Sequence, residues 1–189
     1  MKKLQGSSSD WITKLKAAEQ EYKFQPKLTH ELDNHIGDFT ETTLLEIVLW
    51  KTNRYPTITK DLLFDINDLR KNYSEDKAIK LLRKLLQKES KGFDLPMAST
   101  VLRFACPKEL QIIDQRVYRF ITPDKDSLKI PYNIEEKIVL YFKYVQDLKD
   151  ICNNYDIPFQ KADRILYQLD KKENKNIPIV TYTKHLSSQ

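Results

Sequence analysis

Apolar residues recur along this chain at three- and four-residue intervals almost throughout, the period of helices that bury one face. Trp11, Leu15, Ala18 and Tyr22 form the first such stripe, with Ser9 or Asp10 as its cap. Thr29 to Asp38 reads as a polar loop. Thr40 then caps a helix that Phe39 and Leu44 would clamp at its start as a hydrophobic staple. Leu44, Leu45, Ile47, Val48, Leu49 and Trp50 cover nearly every face of it. Such a helix has no side to give to solvent, which predicts a path through the centre of the domain, ending before Pro56. Leu62, Ile66 and Leu69 mark a shorter helix.

Ser74 caps an amphipathic helix with Glu75 and Asp76 in its first turn, where the helix dipole favours anions. Ala78, Leu82, Leu85 and Leu86 make its buried side, and Lys77, Lys80, Lys84 and Lys88 a row on the other, leading toward Lys91. A lysine row is by default a solvated face. The stretch Lys91 to Pro96 is a tight connection, and Pro96 suits the first turn of a new helix. That helix sets Met97, Val101 and Phe104 on one face, with Ala98, Leu102 and Ala105 beside them, and Pro107 stops it. After the apolar approach Gln111 to Ile113, Asp114 stands where a cap would open a helix from Gln115 to Phe120.

Asn133 and Glu136 form a capping box for a helix faced by Ile134, Ile138, Tyr141 or Phe142, Val145 and Leu148. Pro158 starts a last helix with Phe159, Ala162, Leu166 and Leu169 facing in, and Ile177 to Tyr182 reads as a short extended piece. No repeat and no linker interrupts the series. The fold class is all-α.

Composition narrows the chemistry. The 189 residues are 40% apolar, enough to build a core at the size of one domain or two interlocked subdomains. Two cysteines, Cys106 and Cys152, exclude a disulfide scaffold and any four-thiolate cluster. Three glycines cannot supply a dinucleotide-binding fingerprint or a phosphate loop, so no nucleotide cofactor is expected. His30, His35 and His185 show no ligand spacing, so no metal site is expected. No apolar run spans a bilayer and Met1 to Asp10 lacks a signal-peptide stretch, which predicts a soluble, cytoplasmic protein without a membrane partner. The formal charge of +5 is compatible with a polyanionic partner.

The most informative region runs from Leu85 to Phe120: helix, one-glycine turn, helix with small residues near its start, then Ile-Ile-Asp at the head of another helix. This order resembles the helix-hairpin-helix DNA glycosylase superfamily, in particular its small members lacking the iron-sulfur cluster. Aligned on Ala98 and Asp114 it needs no gap; Gly92 takes the first hairpin glycine, and Asp94 stands where a second glycine is usual. Pro96, 18 residues before Asp114, occupies the position of the lyase lysine. The segment from Trp50 to Arg54 is similar to the family's pocket-lining stretch.

The resemblance implies two helical subdomains, 38–107 ending in the hairpin and 1–37 plus 108–189 carrying the acid, with a cleft between them. It implies a monofunctional DNA glycosylase, a monomer acting in base excision and DNA repair on a flipped-out base. Asp114 would be the catalytic carboxylate, stabilising an oxocarbenium-like sugar or orienting the attacking water. Trp50, Lys51 and Arg54 would line the base pocket, and Lys88, Lys91, Gly92, Phe93, Asp94, Met97, Ala98, Ser99 and Arg116 would bind the DNA backbone. No cofactor is expected beyond a possible monovalent cation at the hairpin. Read from the residues alone, Asp114 is a helix cap first and Trp50 a core residue, and Arg116 and Arg119 either face the DNA or pair with Asp114. A non-catalytic DNA-binding or adaptor protein on the same scaffold is the alternative.

Overall fold

In the computed structural model, residues 25–52, 56–90, 92–122 and 127–179 are described; the expected first helix, Trp11 to Tyr22, lies outside them, as do Arg54 and Lys91. Among the described residues there are eight α-helices and no strand, and no helix is long and apolar enough to cross a membrane. The chain divides into two units, 1–55 and 56–189.

In the first unit, α1 spans Pro26–Asp33 and α2 spans Glu41–Lys51. The expected polar loop from Thr29 is therefore helical as far as Asp33. Pro26 fits the first turn without a missing hydrogen bond, and Leu28 alone is buried, so no repeating apolar stripe betrays the helix. Thr40 caps α2 as expected, through a reciprocal box: its hydroxyl accepts from the Thr43 amide at 3.2 Å and its own amide donates to the Thr43 hydroxyl at 3.3 Å. The expected central course of α2 is not found. Leu44, Leu45 and Val48 are each more than half exposed, and the staple pair Phe39 and Leu44 is exposed at both ends. A helix apolar on all sides carries no signal of which side is covered, and only Thr43 is buried here.

The second unit contains α3 (Lys60–Lys71), α4 (Glu75–Leu85), α5 (Leu95–Ala105), α6 (Gln115–Ile121), α7 (Ile134–Asn154), a 3₁₀ turn (Phe159–Lys161) and α8 (Ala162–Glu173). Their starts are chemically marked. Thr59 and Ser74 accept from the amides of Leu62 and Lys77, and Asn133 accepts from Glu135 and Glu136. One apolar cluster runs from Leu62, Leu82, Leu95 and Leu102 to Leu110, Val117, Tyr141 and Leu166, so residues on both sides of Pro107 share a core. Each fully buried leucine contributes about 2 kcal/mol to it. The choice the pattern left open in α7 falls to Tyr141, fully buried, while Phe142 is partly buried. On α5 it is Ala98, Leu102 and Ala105 that face inward, leaving Met97 and Phe104 exposed.

Candidate functional site

The residues singled out around the hairpin fall within the second unit, and local chemistry explains their arrangement. The turn before α5 needs glycine at position 92, where φ is +92° and an added Cβ would lie 2.8 Å from the Pro56 Cα. Asp94 turns back to cap α5, its Oδ1 accepting from the Met97 amide at 3.0 Å. Pro96 follows inside the first turn, and its carbonyl receives two side-chain bonds, from the Ser99 hydroxyl at 2.7 Å and the Thr100 hydroxyl at 2.8 Å.

Ser99 carries the hairpin to the acid. Besides donating to Pro96, its oxygen accepts the Ile113 amide at 3.1 Å, one residue before Asp114. Two tyrosines of α7 hold the same segment: the Tyr141 hydroxyl donates to the Gln111 carbonyl at 3.0 Å and the Tyr144 hydroxyl to the Ile112 carbonyl at 2.8 Å. Burial pushes the Tyr144 hydroxyl well above its ordinary range, with Tyr141 and Asp114 adding to the effect, so it stays protonated and donating. The Gln111 amide group donates to the carbonyl of Phe159 at 2.7 Å. The extended stretch Gln111 to Ile113, which no helix ladder satisfies, is thus held by side chains of α5 and α7 and by Gln111's own bond to the Phe159 backbone.

Asp114 is half-buried and caps α6. Its Oδ1 accepts from the Arg116 amide at 2.8 Å and the Val117 amide at 3.3 Å. One turn onward, Tyr118 and Tyr144 border a recess of about 340 Å³ between α6 and α7, whose lining also includes Ile121, Ile151, Lys143 and Asp147. Asp114 is not part of that lining.

Neither arginine of α6 pairs with Asp114. Both reach Asp170 of α8, a fully buried carboxylate. Arg119 grips it with two donors, Nε to Oδ1 at 2.9 Å and Nη2 to Oδ2 at 2.6 Å, while Arg116 Nη1 reaches Oδ2 at 3.1 Å and Asn174 adds a bond at 2.7 Å. Arg119 also donates to the carbonyls of Ile177 and Pro178 at 3.2 and 3.3 Å; of the expected extended piece, positions 180–182 lie outside the described residues. Burial alone would raise the Asp170 carboxyl, but the bonds from Arg119, Asn174 and Arg116 outweigh it and hold it below the ordinary carboxylate range. Sequence reading missed this residue. The signal was present in the series Ala162, Leu166, Asp170 and Asn174, four residues apart and all buried, an acid set on an apolar face.

The lysine row is partly neutralised within the protein. Lys77 pairs with Asp68 at 2.8 Å and Lys84 with Asp65, both acids from α3, leaving Lys80 and Lys88 exposed. Phe93 packs partly against the core, Gly92 and Met97 are exposed, and the side chains of Ala98 and Ser99 are fully buried. Those last two support the start of α5 from inside and present no side chain to the surface. In the first unit, Lys51 is exposed and the Trp50 indole donates to the Thr29 hydroxyl at 2.9 Å. Among the described residues no group of three or more His, Cys, Asp or Glu side chains is placed to hold a metal ion.

No protein-family profile matches the chain, and neither a curated protein nor a solved structure does so.

Proposed function

We propose that this protein acts on DNA as a monofunctional glycosylase, hydrolysing the N-glycosidic bond of a damaged or modified base with Asp114 as the carboxylate beside the sugar. One observation carries the reading: the buried Ser99 hydroxyl joins the first turn of α5 to residue 113, which ties the turn before α5 to the segment bearing the acid. Catalysis by electrostatic stabilisation needs such a tie, because a carboxylate helps a developing sugar cation only if it is already in place. Gly92, Phe93, Asp94 and Met97, with Lys88, Lys91 and Arg116, would bear on the DNA backbone. Proline at position 96 implies hydrolysis without a Schiff base. The partner is DNA, and no cofactor enters the reaction.

The test is incubation with oligonucleotides carrying a panel of altered bases, followed by alkali to cleave abasic sites. Turnover by the wild-type protein that disappears in Asp114→Asn supports the reading. Retained turnover in that variant removes Asp114 from the chemistry. Trp50→Ala, Lys51→Ala and Arg54→Ala examine in the same assay the pocket role that the sequence resemblance implies for those residues.

A non-catalytic DNA-binding protein is the second reading, and a specific observation favours it. The Asp114 Oδ1 is already engaged by two backbone amides, the arrangement of a helix cap. Binding with steep salt dependence and no turnover on any substrate would select it.

A further inference from the structure

The buried Asp170 has no part in the proposed chemistry, and a carboxylate removed from water at this cost calls for a reason. Its partners differ in what they have left to offer. Arg119 is itself buried and its donors are occupied by Asp170 and by the Ile177 and Pro178 carbonyls. Arg116 is only partly buried and gives Asp170 a single nitrogen, Nη1. Its guanidinium lies 5.6 Å from the centre of the Tyr167 ring, and its backbone amide is held by Asp114. A guanidinium has five N–H donors in a rigid fork. Arg116 is therefore fixed at one nitrogen and beside an aromatic face, with Nε and Nη2 free to bind an external acceptor. Two arginines against one carboxylate leave the cluster with a net positive charge.

We infer that Asp170 is a positioning residue that orients Arg116 to receive a phosphate oxygen next to the Asp114 segment. This rests on the DNA-directed reading above and names the anion that the segment would meet. An arginine backed by a buried acid loses little side-chain entropy on binding, and a planar fork suits phosphate geometry. In an Asp170→Asn variant that circular dichroism shows to be folded, the sign of the change in binding separates this from a purely structural ion pair. Removing an acid from a DNA-binding protein should strengthen binding by simple charge, whereas loss of a positioning acid should weaken it.

The experiment is binding of a fluorescent duplex to the full chain across a salt series, with folding checked by circular dichroism. Asp170→Asn is expected to bind more weakly than wild type despite its added net positive charge. Arg116→Gln should lose roughly tenfold in affinity and about one unit of salt slope, the signature of one lost phosphate contact. Arg116→Lys keeps the charge and leaves the Arg119–Asp170 pair in place; it should keep the slope and still lose affinity. Equal or tighter binding by Asp170→Asn, or undiminished affinity in Arg116→Lys, overturns the assignment. If wild type binds no DNA, the glycosylase reading falls by itself, and the dyad is judged by titrating inorganic phosphate while following arginine Nε signals. A shift at Arg116 larger than at exposed Arg70, and lost in Asp170→Asn, sustains it; a shift no larger than that of Arg70 overturns it.

Discussion

The Ser99 hydroxyl accepts the amide of Ile113 across 14 residues of sequence while donating to the carbonyl of Pro96, and the bond to Ile113 is buried. Ser99→Ala would leave the Ile113 amide without an acceptor in a place water does not reach. The expected cost is about 1–3 kcal/mol, the desolvation penalty of an unsatisfied buried donor. Chemical denaturation should show a lower midpoint with an unchanged slope. A stability equal to wild type would mean that another group takes the amide.

Asp114 has two separable duties. Asp114→Ala removes the cap of α6 and should cost about 1 kcal/mol. Asp114→Asn keeps an acceptor oxygen for the Arg116 and Val117 amides and should leave stability within about 0.5 kcal/mol of wild type, because Asn caps as well as Asp. Thermal melting of the two variants measures the cap alone. Any loss of DNA-directed activity in the Asn variant then belongs to the missing charge.

Gly92 holds the turn before α5. Gly92→Ala combines a left-handed backbone conformation, which costs an L-residue about 1–2 kcal/mol, with a Cβ 2.8 Å from the Pro56 Cα. Backbone on the far side cannot rotate away as a side chain would. The variant should be destabilised by more than the conformational term alone, which a urea titration reads directly.

Asp170 makes stability depend on acid. Its carboxyl is held below the ordinary value of 3.8, so the stabilisation is complete above that value and is lost as pH falls through the lower folded value. The melting temperature should therefore drop in the acid range, and Asp170→Asn should flatten part of that drop. At neutral pH the same substitution should cost about 3–5 kcal/mol, because Arg119 is left buried without its counter-charge. A neutral-pH cost below 1 kcal/mol would show that Arg119 finds solvent or another acceptor.

Helix starts were readable because capping is local. Thr40, Ser74, Asp94, Asp114 and Asn133 each bond amides two or three residues ahead, and nothing distant is needed to complete those bonds. The inward face of α4 was readable for the same reason, since a period of 3.6 written in apolar residues states which side is dry, whereas α5 offers two adjacent apolar faces and only packing chose the one with Ala98, Leu102 and Ala105. Two cases escaped. The short α1 has one buried leucine and no stripe, and α2 has apolar residues on all sides and hence no preferred one.

The candidate site divides along the same line. An acid at a helix head, a one-glycine turn and a proline inside the next helix are facts of order, visible in the letters. The bonds that give them a geometry join residues far apart: Ser99 to Ile113, Tyr144 to Ile112, and Arg119 to Asp170 over 51 positions. Which arginine keeps free donors, which lysines are spent on the aspartates of α3, and which acid lies in the core depend on how the helices pack. Long-range pairing of polar groups follows from burial that only the assembled core creates, and no local pattern encodes it.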